Sequence, residues 1–178
     1  MPYLPLTVVT LTVRAETDED RAAIYAVNEA AFGRPDEARL VDALRRAARP
    51  YVSFVAADGG RVVGHILFSP VTIESGGAAS AAMALAPMAV LPELQNQGVG
   101  SRLVGRGLDE CRRLGHALVF VVGHPAYYPR FGFEPARPKG FTCEFPVPDE
   151  AFMVAELSPG AAAGRGGLVR YRPEFHGV

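Results

Sequence analysis

The sequence predicts a single α/β domain built on a mixed sheet. Three observations carry that expectation. Residues 51–57 and 61–73 are rich in branched and aromatic side chains and flank Asp58-Gly59-Gly60, the signature of an antiparallel hairpin. Residues 84–122 read as strand, glycine-bearing loop, amphipathic helix and continuous apolar strand, a unit whose right-handed crossover sets two strands parallel. The chain has 178 residues, 49% hydrophobic and 21% charged, with a net charge of −1; that is enough for one core and too apolar for disorder.

Taken in order, residues 6–13 alternate apolar and polar side chains and read as a first strand. Thr17 followed by Asp18, Glu19 and Asp20 starts a helix with acids in its first turn. It runs to Phe32, stacking Ile24, Val27 and Ala31, and Gly33-Arg34-Pro35 breaks it. A second helix over residues 36–48 groups Leu40, Val41 and Leu44, and Pro50 ends it. After the hairpin, residues 75–80 are a small-residue turn. Residues 84–90 form a third strand of this region, and Pro87 inside it implies an edge or a bulge. Residues 101–114 have helical period, with Val104, Leu108 and Cys111 on one face and mostly arginine and acid on the other; Gly115 ends them. Residues 117–122 are apolar without interruption, as a strand buried on both faces should be. A short helical segment over 126–131, strands over 141–145 and 151–157, a loop over 159–167 and a strand over 168–171 complete the chain. No stretch is long or polar enough to be an interdomain linker.

Composition excludes several functions. Two cysteines, Cys111 and Cys143, make neither a disulfide framework nor a four-thiolate metal site. Cys111 belongs to an apolar helix face and reads as core. No apolar run is long enough to span a membrane, and Met1-Pro2-Tyr3-Leu4-Pro5 lacks the basic start of an export signal, so a cytoplasmic protein is expected. Near-zero charge argues against non-specific nucleic-acid binding. No Gly-x-Ser-x-Gly elbow and no His-Glu-x-x-His pair is present, so neither that hydrolase chemistry nor a metal is expected.

The informative segment is Gln95-Asn96-Gln97-Gly98-Val99-Gly100-Ser101, between a strand and a helix. Its glycines let backbone approach a bulky anion, and the helix start behind them offers bare N–H groups and a partial positive charge. A P-loop would need lysine after the last glycine; Ser101 stands there, and the only lysine is Lys139. The dinucleotide fingerprint would need a third glycine where Leu103 stands. What remains is Q-x-x-G-x-G after a proline-bulged strand.

That combination resembles the GCN5-related N-acetyltransferases. Leu85-Ala86-Pro87-Met88-Ala89-Val90, Leu91-Pro92 and the Gln95, Gly98, Gly100 pattern are similar to that family's acetyl-CoA motif, and Tyr128 through Gly132-Phe133 to its tyrosine-x-x-x-Gly-Phe element. The resemblance spans residues 12–135. The ending, around residues 147–153 and 170–175, is similar to the bacterial subgroup called YhbS-type predicted N-acetyltransferases.

The resemblance implies one acetyltransferase domain, with a core over residues 12–135 and an extension over 136–178. Its sheet would have six or seven strands with a splayed parallel pair, flanked by about four helices. It implies acetyl-CoA as acetyl donor. Backbone of Met88, Ala89 and Val90 would hold the pantetheine arm, with an N–H near Met88 or Val90 facing the thioester oxygen. Gln95, Gln97, Gly98, Val99, Gly100 and Ser101 would hold the pyrophosphate, and Arg102 is within reach of a phosphate. Tyr128 would protonate the departing thiolate, with Tyr127 as a rival. The base that deprotonates the amine is left open among Glu29, His65, Glu74, His124 and a water chain. Phe32, Phe68 and Phe141 are expected to line the slot. The function implied is acetyl transfer to a primary amine of a small molecule or protein; the alternative is an acyl-CoA-binding sensor without turnover. A homodimer through the late strands is possible, because late strands in this fold often pair across subunits.

Overall fold

The computed structural model describes residues 10–178. The chain order is β1 (Leu11–Ala15), α1 (Arg21–Phe32), α2 (Asp36–Ala47), β2 (Val52–Asp58), β3 (Arg61–Ser75), β4 (Ala78–Val90), α3 (Val99–Arg113), β5 (Leu118–Val122), β6 (Phe133–Pro135), β7 (Phe141–Cys143), β8 (Phe152–Glu156) and β9 (Gly167–Arg170). One sheet takes all nine strands in the order β1-β2-β3-β4-β5-β8-β6, with β9 beside the far half of β3 and β7 beyond it. Pairing is antiparallel except β4 with β5 and β7 with β9. The expected hairpin is β2–β3, turning at Gly59-Gly60, and the expected β-loop-α-β unit is β4–α3–β5.

The helices start and stop where local chemistry dictates. Asp20 ties the entry to α1, its carboxylate accepting from Thr17 N–H (2.8 Å) and from Arg14 (2.6 and 2.9 Å). Gly33 ends α1 in the left-handed region at φ 69°, which costs a glycine little. α2 opens with Asp36 and Glu37 and closes with Arg45 and Arg46, matching its dipole.

The two faces of the sheet can be told apart at β3. A Cβ on Gly64 would meet Leu103 and Val99 of α3, whereas the next residue, His65, reaches Asn28 of α1. Successive strand residues point to opposite faces, so α3 covers one side and α1 with α2 the other. Phe68, fully buried, fills the space over Gly107 of α3. Leu67 packs among Leu40, Leu44 and Ala48 on the α2 side. A second core, including Phe120, Phe141, Phe152 and Val169, holds the late strands.

Several elements differ from expectation. Residues 6–9 of the expected first strand lie outside the described residues. β4 begins at Ala78 rather than at residue 84, because Gly76-Gly77, both at positive φ, make a two-residue turn and pairing with β3 carries the alanines. β6 was not expected. The segment over 126–131 is a 3-10 turn (Tyr128–Phe131), so the described residues hold three α-helices and nine strands.

Candidate active site

The parallel pair separates at mid-length. β4 and β5 are paired from Met83 and Val119 to Leu85 and Val121, and no further. Pro87 follows on β4, preceded by a cis peptide, and the register against β3 slips between Ile66 and Phe68. Proline offers no N–H to a neighbour. Beyond it β4 stays on β3 alone, with Met88 opposite Ile66, Ala89 opposite His65 and Val90 opposite Gly64. Leu91 N–H donates to Val63 O (2.9 Å). Antiparallel pairs alternate, so Ala89 turns its backbone groups to β3, while Met88 and Val90 turn theirs to the gap. The Val90 carbonyl accepts from Gln95 Nε2 (3.0 Å), which fixes the loop to the strand. Ala89, expected to hold the pantetheine arm alongside its neighbours, is therefore committed to β3, and its side chain is buried.

The loop then delivers the start of α3 to the mouth of the gap. Asn96 sits at φ 60° and Gly98 at φ 85°, and Gly98 caps the helix. Arg102 N–H is the first to close on Gly98 O (3.1 Å), leaving the N–H groups of Val99, Gly100 and Ser101 without intrahelical partners. Gly100 sits in a crowded spot: a Cβ there would lie 3.0 Å from Tyr127 Oη and 3.4 Å from Met88 Cε and would push both side-chain ends aside. Bare amides, helix dipole and the close approach that glycine permits fit an anionic group such as a pyrophosphate.

A cavity of about 810 Å³ occupies the gap. Of the residues singled out for the cofactor, Met88, Val90, Gln95, Gly98, Gly100 and Ser101 line it. Ala89, Gln97, Val99 and Arg102 do not. Gln97 donates back to Glu93 O (3.1 Å), Val99 is buried in the core, and Arg102 lies on the exposed face of α3.

Tyr127 and Tyr128 both reach the cavity, with their rings edge to face at 5.1 Å. Tyr127 Oη lies 3.3 Å from Ser101 Oγ, and Arg130 stacks over the Tyr127 ring at 4.6 Å. Tyr127 thus belongs to the helix mouth. Tyr128 sits deeper, 7% exposed, edge-on to Phe133 and pressed against Gly123, where a Cβ would stand 2.3 Å from its ring. No hydrogen bond to a described residue occupies its hydroxyl. Burial, with Tyr127 beside it, pushes the phenol up to about 12, so it stays protonated through the neutral range.

Of the four candidate bases, only His124 lines the cavity. His65 does not. It is fully buried behind the strand, with Nδ1 accepting from Asn28 Nδ2 (3.2 Å) and Nε2 meeting Ser53 Oγ (2.9 Å). Burial pushes its imidazole down and keeps it neutral, although Glu16 stands 3.6 Å away. Glu74 pairs with Arg170 (2.8 Å) at the β3–β9 end, and Glu29 is exposed on α1. Phe32 lines the cavity, but Phe68 and Phe141 are core residues, under α3 and within the second core. Cys111 is buried, and burial pushes its thiol up to about 12, which suits core packing and not nucleophilic attack.

The sequence did not assign Glu37, Leu40, Arg130 or Phe175 to the site, and all four line the cavity. Arg130 stood inside the tyrosine motif and was within reach of sequence reasoning. The others come from α2 and the last turn of the chain (Pro173–Gly177), and nothing local marks them. Among the described residues no cluster of His, Cys, Asp and Glu can hold a metal, and no helix is long and apolar enough to cross a membrane.

With this geometry established, comparison with known proteins is decisive for the family. The acetyltransferase (GNAT) domain family matches residues 12–136. The uncharacterized N-acetyltransferase YjhQ of Escherichia coli K12 is 42% identical over 148 residues, 82% of each chain. YhbS of the same strain is 36% identical over 167 residues, 93% of this chain and 99% of that one. Among solved structures, E. coli YhbS in complex with CoA superposes with a TM-score of 0.88 at 35% identity, covering 95% of this chain and 93% of that one. A GNAT acetyltransferase from Brucella melitensis with acetyl-CoA gives 0.76 at 35%, covering 93% and 97%. The chain shares its sequence and its overall fold with these proteins, and it belongs to the GNAT acetyltransferase family.

Proposed function

We propose that this chain transfers the acetyl group of acetyl-CoA to a primary amine, the amine attacking directly while both are bound. The observation that carries this is the meeting of three features in one cavity: the unpaired edge of β4 at Met88, the bare amides of α3, and the buried, protonated Tyr128. The two relatives of about one-third identity solved with CoA and acetyl-CoA support the choice of cofactor. Acetyl-CoA, when bound, supplies a thioester already activated for acyl transfer.

The chain's own residues then have these tasks. The N–H groups of Gly100 and Ser101, with Arg130, take the phosphates. Backbone groups of Met88 and the Val90 N–H continue the ladder onto the pantetheine arm, and a donor there faces the thioester oxygen as charge grows on it. Tyr128 Oη donates to the departing sulfur. Full proton transfer from a phenol near 12 to a thiol near 8.5 is uphill, so its main contribution is a hydrogen bond to the developing thiolate. His124, exposed at the cavity wall, is the only candidate base that can meet the amine or its water.

Calorimetric titration of the purified chain with acetyl-CoA, CoA and NAD tests the cofactor; micromolar binding of the first two and none of NAD is expected. Tyr128→Phe tests the chemistry, with turnover expected to fall about 100-fold while acetyl-CoA still binds. Unchanged turnover would remove Tyr128 from the mechanism. Absent acetyl-CoA binding would overturn the proposal.

A further inference from the structure

The cavity has two chemically different ends. One is the helix mouth, where Arg130 lies over Tyr127 beside Gly100 and Ser101. The other is walled by Phe32 at the end of α1, Leu40 of α2 and Phe175 of the last turn, with Glu37 beside them. Glu37 and Arg130 are the only carboxylate, lysine or arginine side chains on the wall among the described residues. They are not equivalent. Arg130 is exposed and bonds only to the Tyr127 carbonyl (2.9 Å), so its charge is free for an anion. Glu37 is 9% exposed along its side chain, and Arg34 Nε lies 3.2 and 3.1 Å from its two oxygens, so its charge is already neutralised.

The side chains of the far end therefore carry no unpaired charge, and most of them are apolar. Four large hydrophobic residues are left exposed among the described residues: Phe32, Leu114, Val122 and Val178. Three of them, all but Leu114, line this cavity. Phe32, exposed, and Phe175, partly buried, thus turn aromatic surface into the cavity and offer it to an apolar ligand. A second ammonium there would be desolvated against aromatic surface, and the one side-chain carboxylate on the wall, Glu37, is already paired with Arg34.

Resting on the acetyltransferase reading above, we infer that the acceptor is a monoamine with an aromatic or branched-aliphatic body, and that Phe32 and Phe175 set this specificity by packing on that body. Its nitrogen lies at the split of the strands. There the C–N bond forms as the C–S bond breaks, and the proton shed by nitrogen balances the thiolate to give amide and thiol. Polyamines and lysine side chains of proteins are poor acceptors on this geometry.

Thiol release from acetyl-CoA, measured with 2-phenylethylamine, 3-methylbutylamine, spermidine and a lysine-containing peptide, tests the inference. The first two should exceed the last two in kcat/KM by about tenfold or more. Phe32→Ala and Phe175→Ala should each raise the KM for 2-phenylethylamine about tenfold and leave the KM for acetyl-CoA unmoved. Phe32 is 41% exposed, so its alanine variant keeps the fold even if Phe175→Ala, which loses packing against Tyr171, is less stable. Preference for spermidine or the peptide, an unchanged amine KM in Phe32→Ala, or no acetylation of either monoamine by a chain that binds acetyl-CoA would overturn the inference and leave the cofactor reading standing. Failure to bind acetyl-CoA would overturn both.

Discussion

Glu16 is the side chain on which the buried polar network turns. It accepts from Arg45 Nε (2.7 Å) and from the Ser53 hydroxyl, which in turn meets His65, and His65 meets Asn28. Burial alone would push the Glu16 carboxyl up, but donors from His65, Arg45 and Ser53 outweigh it and hold it at about 2. A carboxyl depressed in the folded state stabilises the fold above its unfolded pKa, and that stabilisation is lost as pH falls. The window here runs from about 4.5 down to about 2, and the stake is on the order of 3 kcal/mol. Glu16→Gln should be less stable at pH 7 by a similar amount, because Arg45 loses its charge partner, and should show a flatter loss between pH 5 and 2. Urea unfolding at stepped pH measures this; an unchanged slope would place the acid sensitivity elsewhere. Gly100 makes the equivalent point inside the cavity. Gly100→Ala would press a methyl on Tyr127 and Met88, and acetyl-CoA binding should weaken about tenfold with thermal stability nearly unchanged. The sequence made Gly100 legible because its neighbours in the chain carry the motif. It did not make Glu16 legible, because the partners of that carboxylate come from β2, β3 and α2.

At the scale of elements, α3 shows what period and composition can and cannot tell. Its apolar face, with Val104, Leu108 and Cys111, was readable from spacing alone, and all three are buried. Two of its three glycines, Gly105 and Gly107, look alike in sequence and are opposites in structure. A Cβ on Gly107 would stand 2.2 Å from a ring atom of Phe68, whereas a Cβ on Gly105 would meet nothing within 4 Å. Gly107→Ala should therefore cost about 1–3 kcal/mol by overpacking. Gly105→Ala should stabilise by about 0.5–1 kcal/mol by reducing the freedom of the unfolded chain. Chemical denaturation of the two variants side by side decides it, and equal effects would contradict the packing of α3 on Phe68. The same limit explains the missed first half of β4. Alanine and serine over residues 78–82 carry little strand propensity of their own, and only the pairing of Ser75 with Ala78 through to Val71 with Ala82 makes them strand. β6 is three residues beside β8 and carries no periodicity to read.

For the whole molecule, the net charge of −1 means that no global field draws an anionic ligand to the cavity; attraction has to be local. The β4–α3–β5 unit, legible from sequence, supplies the helix mouth, while the far wall is assembled from α1, α2 and the last turn, which only the folded chain brings together. Charge follows the same division, with exposed Arg130 at the mouth and neutralised Glu37 at the far wall. Binding of acetyl-CoA should thus weaken as salt rises, since exposed charges separated by more than about 8–10 Å are screened at ordinary ionic strength while backbone amides at close range are not. Arg130→Ala should weaken binding about tenfold at low salt and flatten this dependence, because it removes an exposed surface charge and leaves the helix amides in place. Calorimetry of the two proteins across a salt series separates the contributions. Parallel salt curves would mean that Arg130 only braces Tyr127 through its stacking on that ring, and that the helix mouth alone holds the phosphates.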